Sequence, residues 1–267
     1  MRRPVIIMDW HLGTMGFSYK DWEGVFYPEG LAPRDYLVHY STIFDAVELD
    51  STFYGTPRPE YVERWAAVTP AHFSFCAKVP RLVTHDLRLV EAQEPMTEFL
   101  DTMRLLGEKL GVILIQLPPD YTFTMIHKLA VFLRQLPKDI RYAVEFRHPS
   151  WHTTATGQLL QNQGVAWAST DYIHLPQRIY VTTDFIYIRW IGEHGRYGAK
   201  DHERVDMTPR LEEWWVDIQN RRQGVQAVYG FFNNDYAGHS PATCNRFKAI
   251  AGLPFVDNRP PQQGRLF

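Results

Sequence analysis

Six apolar, strand-like runs in this chain acquire a polar residue at their C-terminal ends, each time in the same alternating phase. AVELD ends in Glu48 and Asp50, FSFCAK in Lys78, VILIQ in Gln116, YAVEFR in Glu145 and Arg147, FIYIR in Arg189, and AVYGFFNN in Asn233 and Asn234. Side chains alternate between the two faces of a strand. The flanking Val47 and Leu49, Phe75 and Ala77, Val144 and Phe146, and Ile186 and Ile188 therefore make a uniformly apolar face. The other face turns charged or amide only at its end. A closed ring of parallel strands, wrapped in helices and carrying its site at the C-terminal mouth, imposes that pattern.

The remainder of the chain fits such a ring. Strands are expected within 5–13 and at 45–49, 73–78, 112–117, 141–146, 165–170, 185–190 and 226–232. Helices are expected between them, near 34–41, 58–68, 95–110, 124–136, 153–163, 211–222 and 241–251. Pro57 and Pro59 open the second helix, and Phe99, Met103 and Leu106 recur at helical spacing in the third, where Gly111 suits the C-cap. The segment 171–184 lacks a helical pattern, so the sixth crossover is expected to be degenerate. The fold class is thus α/β, a single (β/α)8 TIM-type barrel over 1–256, followed by a Pro- and Gln-rich flexible tail at 257–267. The length of 267 residues suits one such barrel, which typically needs about 250.

Composition narrows the function classes. A net charge of −2 supplies no global field for nucleic acid or an anionic membrane. No stretch approaches the roughly 20 apolar residues of a membrane span, and MRRPVIIMDWHLGT lacks the apolar run of a signal peptide, so a cytoplasmic setting is expected. Cys76 and Cys244 are far apart and have no metal-type spacing; Cys76, in phase with Ser74 and Lys78, reads as a small buried residue. There is no P-loop, no GxGxxG after a strand and no GxSxG elbow.

The segments GTMGFSYKDW (13–22), VELDSTFYGTP (47–57), AKVPRLVTHD (77–86), LIQLPP (114–119), AVEFRHPSW (143–151) and GFFNND (230–235) together resemble the domain-of-unknown-function family 72, also called YecE-like. The resemblance covers nearly the whole chain in order. It implies a TIM-barrel-like fold and carries no established activity. Met15 and Phe17 stand where that pattern has Ser and Trp, Asp50 where Asn is common, and RWIGEHG (189–195) is longer than the expected Arg-Leu-His-Gly.

In a closed barrel the strand ends converge, so Glu48, Asp50, Lys78, Gln116, Glu145, Arg147, Arg189 and Asn233 are expected around one mouth. Glu145, Lys78, Glu48, Asp50 and His85 are the catalytic candidates. Tyr54, Gln116, Arg147, His148, Trp151, Asp171, Arg189, Asn233 and Asn234 are the substrate-binding candidates. A carboxylate beside Lys or Arg is held ionised and can act as a base. A desolvated Lys78 would instead be a base or Schiff-base nucleophile. A salt-bridge lattice that closes the barrel is the structural alternative, though an expensive one. His85 and His148 could shuttle protons near neutrality or bond to the backbone. Tyr54 and Trp151 could wall the pocket or pack in loops. The polar loop 191–209 could cover an anionic ligand or remain solvated, and Gly238, His239 and Ser240 could offer N–H donors to phosphate or simply cap the last helix.

The favoured expectation is a metal-independent enzyme, without cofactor, performing hydrolysis or proton transfer on a small anionic substrate such as a phosphorylated one, with Glu145 or Glu48 as general base. Two alternatives stand beside it. One is a metal-dependent phosphoesterase or nucleic-acid-processing protein by analogy with endonuclease IV, in which Asp171, Glu48, Asp50, Glu145 and nearby histidines would build an oxygen-rich metal site. The other is a module that binds an anionic metabolite without turnover. The strand ends hold mostly Lys, Arg, Gln and Asn, which are poor ligands for divalent metals.

Overall fold

In a computed structural model that describes residues 8–256, strands and helices alternate from one end to the other. The strands are β1 (Asp9–Met15), β2 (Ala46–Leu49), β3 (Ser74–Lys78), β4 (Leu110–Gln116), β5 (Arg141–Glu145), β6 (Ala166–Trp167), β7 (Ser169–Asp171), β8 (Phe185–Trp190) and β9 (Ala227–Phe232). The helices are α1 (Tyr36–Tyr40), α2 (Pro59–Val68), α3 (Gln93–Met103), α4 (Ile126–Gln135), α5 (Thr154–Gln163), α6 (Thr208–Arg221), α7 (Asn234–Ala237) and α8 (Ser240–Ile250). Every strand pair is parallel, in the order β6-β5-β4-β3-β2-β1-β9-β8-β7.

Only Ala168 separates β6 from β7, so the two are halves of one strand. The first half pairs with β5, with Ala166 opposite Ala143, and the second with β8, with Thr170 opposite Arg189. That strand closes the ring, which makes the fold an α/β barrel of TIM type with eight strand positions. Residues 172–184 contain no helix, as the sequence implied. The segment runs extended instead, with Tyr180 stacked on Trp167 at 4.0 Å, Ile179 N–H donating to Asp217 and Thr182 Oγ1 to the Val165 carbonyl.

Two apolar clusters follow from the alternation. The lumen is filled by Met15, Ala46, Cys76, Leu114, Ala143, Tyr187 and Phe231 among others. The opposite faces, with Val47, Phe75, Ile113, Val144, Ile188 and Val228, join the helices in a second, larger cluster. Helix α4 shows the local logic. Leu129, Phe132 and Leu133 recur on one face and are fully buried, each stabilising the fold by roughly 1.5–3 kcal/mol. Helix α5 starts where the Thr153 side chain accepts from Thr156 N–H and stops at Gly164, whose φ of 68° only glycine adopts freely.

Several sequence boundaries need correction. β1 extends to Met15, beyond the expected 5–13, of which 5–7 lie outside the described residues. The third helix does not run to 110. After α3 a 3-10 segment, Arg104–Lys109, breaks at Gly107 (φ 58, ψ −133), and β4 begins at Leu110. Gly111 is therefore no C-cap. It faces the lumen, where a Cβ would come within 2.6 Å of Ser74 Oγ. The expected tail at 257–267 lies outside the described residues. Among the described residues, no helix is long and apolar enough to cross a membrane.

The loop after β8 is docked rather than free. Gly195 N–H donates to Asp235 Oδ2 at 2.8 Å, Lys200 N–H to Asp21 at 2.9 Å, and Arg204 N–H to the Ala237 carbonyl at 2.6 Å. Lys200 Nζ also pairs with Asp235. Gly192 (φ +73) lets this strap pass so close to the Asp235 carbonyl that a Cβ would collide with it.

Candidate active site at the barrel mouth

The lumen-facing ends of β2, β3, β4, β5 and β8 build a site in two tiers. The lower tier centres on Arg189, 2% exposed. Its Nε lies 3.0 Å from both oxygens of Glu48, its Nη2 donates to Glu48 Oε1 at 2.6 Å, and its Nη1 to Glu145 Oε2 at 2.6 Å. Tyr187, two residues earlier on the same face, donates its hydroxyl to Glu48 Oε2 at 2.6 Å. Arg147 Nε holds the other oxygen of Glu145. Arg189 Nη2 also reaches Asp50 Oδ1 at 3.2 Å and Met15 Sδ at 3.4 Å.

One guanidinium shared between two buried carboxyls drives them apart. Burial opposes ionisation of Glu145, but Arg147 and Arg189 outweigh it and hold the carboxyl at about 2. Burial pushes Glu48 above the usual carboxylate range, against the pull of Arg189, and neighbouring Asp50 adds to the rise. The difference lies in the second arginine, which only Glu145 has. Despite its burial, Arg189 stays firmly protonated between Glu145, Glu48 and Asp50.

The upper tier is Lys78, Asp50, Gln116 and Arg147, and here bonding capacity is left over. Among the described residues Lys78 Nζ has no hydrogen-bond or ion-pair partner; it sits 4.0 Å over the Phe53 ring. The residue is 9% exposed. Its amine is not among the unpartnered atoms shut off from solvent, so it opens toward the mouth. Burial lowers the Lys78 pKa; Asp50, Glu145 and Glu48 act in the opposite direction and Arg189 assists the fall. Asp50 uses one oxygen on Arg189 and leaves the other free. Gln116 accepts long contacts from Arg147 at 3.4 Å and Arg189 at 3.5 Å through Oε1 and keeps its amide N–H donors. Arg147 lies over the Tyr172 ring at 4.3 Å with Nη1 unengaged.

His85 belongs to the margin of this site. It lies in a π-helical turn, Leu82–Asp86, directly after β3, its ring edge-on to Phe53 at 5.0 Å and bonded through Nδ1 to Thr84 Oγ1. Burial first, then Lys78 and Arg81, lower its pKa. Tyr54 is 88% exposed beside Phe53. Asn233 Nδ2 approaches Met15 Sδ at 3.6 Å, while its Oδ1 accepts from Asp235 N–H.

Four other candidates do not join the mouth. Asp171 faces the helices, because Thr170 and not Asp171 is paired with Arg189. Its carboxylate is saturated by Trp214 Nε1 (2.7 Å), the Tyr236 hydroxyl (2.7 Å), Gln177 Nε2 (2.6 Å) and Arg210 Nε (3.1 Å). Trp151 is fully buried, stacked on Phe146 at 4.5 Å, with Nε1 donating to the Tyr121 carbonyl. His148 is turned back onto Ser150, accepting from its backbone N–H as a helix cap. Asn234 is buried out of phase with Asn233, and its Oδ1 accepts from Ser240 N–H at 3.0 Å, Ser240 Oγ and Trp22. Gly238 N–H goes to the Asn234 carbonyl. Two of the N–H groups expected to cradle phosphate are thus consumed inside the chain.

The residues present do not fit a multinuclear zinc centre. Such a centre needs several His, Asp or Glu ligands with free oxygens or nitrogens. Both oxygens of Glu48 and of Glu145 are taken by arginine and tyrosine donors. Among the described residues no three His, Cys, Asp or Glu side chains converge to hold a metal ion.

Fold and site together define a class: a parallel α/β barrel with a buried ionic cluster at the C-terminal ends of its strands. The chain belongs to the family described as "Protein of unknown function DUF72", whose model matches residues 11–265. It is similar to UPF0759 protein YunF of Bacillus subtilis (strain 168), 30% identical over 261 residues, covering 85% of this chain and 89% of YunF. UPF0759 protein YecE of Escherichia coli (strain K12) is 32% identical over 142 residues, 53% of this chain and 52% of YecE. The chain spans about half the length of the YecE relatives it matches. A DUF72 family protein from Thermotoga maritima MSB8 has a crystal structure that matches with a TM-score of 0.76 at 31% identity, covering 91% of this chain and 99% of that one. One from Enterococcus faecalis V583 matches with a TM-score of 0.74 at 22% identity, and supports the fold.

Proposed function

We propose that this protein is an enzyme that binds a small anionic substrate at the mouth of the barrel and moves a proton with the Lys78 amine. The observation that carries the reading is the isolation of Lys78. Every other charged group of the cluster is engaged by a partner of opposite sign, while Lys78 Nζ has none among the described residues and faces the mouth. Burial disfavours the charged ammonium and so favours the neutral amine, the form that accepts a proton.

The roles divide accordingly. Arg147 Nη1 and the Gln116 amide are free to hold the substrate anion. Asp50, with one free oxygen, is placed to exchange protons with the amine. Glu145 is not the base in this reading, since both its oxygens are occupied and its carboxyl is held at about 2. Glu48 is enclosed in the same way. The lower tier instead fixes Arg189 and gives the mouth a rigid floor. Near-zero net charge leaves a small anion, rather than nucleic acid, as the ligand that this local cation set suits.

Trace acetylation of the intact protein across a pH series, followed by peptide mass mapping, tests the reading. Lys78 should acetylate at lower pH than the exposed Lys20 and Lys128. Labelling of Lys78 only at the pH where those two react would overturn it.

A further inference from the structure

The upper tier contains two proton-active groups where simple proton transfer needs one. Asp50 follows Leu49, Lys78 follows Ala77, and Leu49 and Ala77 are register partners on adjacent strands, so the two residues stand at neighbouring strand ends, and Asp50 is the foremost charge acting on the amine. An amine with a separate acid–base group beside it is the pair that carbonyl addition requires: one atom to form the bond, another to carry the proton.

Building on the reading of Lys78 as a reactive amine, we infer that Lys78 Nζ adds to the carbonyl carbon of a small oxo acid and forms an imine with it. The Nζ lone pair forms the C–N bond while the carbonyl π pair moves to oxygen, which takes up a proton that the nitrogen loses. The free oxygen of Asp50, which has taken the proton that the Lys78 ammonium gives up to become the nucleophile, then delivers that proton to the hydroxyl of this carbinolamine. Water leaves, and the C=N bond forms. Ketone or aldehyde plus amine thus becomes imine plus water, without an oxidant or reductant. The imine nitrogen, once protonated, draws electrons from the adjacent C–H or C–C bond. The substrate carboxylate lies on Arg147 Nη1 and the Gln116 amide, contributed by β5's end and β4.

The surroundings suit that chemistry. The Phe53 face covers one side of Nζ at 4.0 Å and excludes water there. The charged and titratable groups facing the amine are Asp50 and Glu48 from β2, Glu145 from β5, Arg189 from β8, and His85 from the turn after β3. All but Asp50 and His85 are locked in the lower tier, and of these two Asp50, at the neighbouring strand end and the foremost charge acting on the amine, is assigned the proton.

The test uses the full chain with glyoxylate and pyruvate, each with sodium borohydride, which reduces an imine to a stable secondary amine. Intact mass and peptide mapping read the product. The expected result is one reduced adduct per chain at Lys78, at least about tenfold above any other lysine, since Arg147 and Gln116 hold the substrate carboxylate beside this amine alone. In Asp50→Asn the adduct should form more slowly while trace acetylation of Lys78 stays intact. An adduct spread over exposed lysines, or no adduct while Lys78 still acetylates at low pH, would overturn the imine and leave the amine as a base. If Lys78 acetylates only together with the exposed lysines, the underlying reading of the amine fails as well.

Discussion

Arg189 and Glu48 meet side-on across the barrel lumen, with Arg189 Nε 3.0 Å from both carboxylate oxygens and Nη2 2.6 Å from Oε1. The pair forms because residue 48 of β2 and residue 189 of β8 both point inward, and neither side chain reaches water. Burying charge is costly, and a buried pair is often no better than an apolar one. Removing one member is worse, because its partners stay buried without a counter-charge.

Arg189→Met should therefore lower stability by about 3–5 kcal/mol, the range for breaking a buried ion pair from one side. Arg189→Lys should recover little of it, since one ammonium cannot span Glu48, Glu145 and Asp50 as the planar guanidinium does. The urea midpoint decides: a loss under about 1 kcal/mol in the Met variant would mean that the cluster is not what holds the mouth closed.

Glu145 makes stability depend on acid. Its folded pKa, about 2, lies below the usual carboxylate value of 4.5. A group depressed in this way stabilises the fold above its unfolded pKa and stops doing so as pH falls through the folded one. Stability should decline between about pH 4.5 and pH 2. Glu48 shifts the other way, so its protonation adds stability as pH falls toward about 4.5, above that window, and leaves the slope within it to Glu145. In Glu145→Gln the slope over that window should flatten, measured by denaturant titration at fixed pH steps. An unchanged slope would place the acid sensitivity elsewhere.

Period-two alternation accounts for what the sequence revealed and for what it concealed. Glu48 shares phase with Ala46, Lys78 with Cys76, Gln116 with Leu114, Glu145 with Ala143 and Arg189 with Tyr187, and all five stand in the lumen with those neighbours. The same rule, applied strictly, would have excluded Asp171 and Asn234, which follow the inward Thr170 and Asn233, and would have added Met15 and Tyr187. Loop side chains have no such phase. Trp151 and Tyr54 looked alike as aromatic walls in the sequence, but one is sealed in the core and the other exposed. Phe53 and Tyr172, the rings beneath Lys78 and Arg147, depend on turns whose geometry arises only from the whole barrel.

Asp171 makes that contrast measurable. Its carboxylate ties the extended segment 172–184, through Gln177, to Arg210 and Trp214 of α6 and Tyr236 of α7. Asp171→Ala would strand buried N–H and O–H donors at about 1–3 kcal/mol each. A loss of at least about 3 kcal/mol is expected, with borohydride trapping at Lys78 unchanged under conditions where the variant is folded. Loss of trapping in a folded Asp171→Ala protein would return Asp171 to the site.

Lys78 should show the opposite behaviour. A largely buried amine without a carboxylate partner costs stability to keep, because it has lost much of its water and nothing of opposite charge touches it. Lys78→Met keeps the length of the side chain, fills the space over Phe53 with a thioether that packs well on an aromatic ring, and removes the desolvated amine. The variant should be at least as stable as the parent, with a gain of up to about 1–2 kcal/mol, the range seen when a functional residue is exchanged for one that suits its surroundings. The Lys78 pKa is lowered in the folded chain, so neutral amine is favoured there. The parent should gain on the variant as pH rises through the folded and then the unfolded lysine range. Denaturant midpoints of both proteins at neutral and alkaline pH check the sign. A variant clearly less stable than the parent at neutral pH would mean that Lys78 is a structural member of the cluster, and the chemistry assigned to its amine would lose its basis.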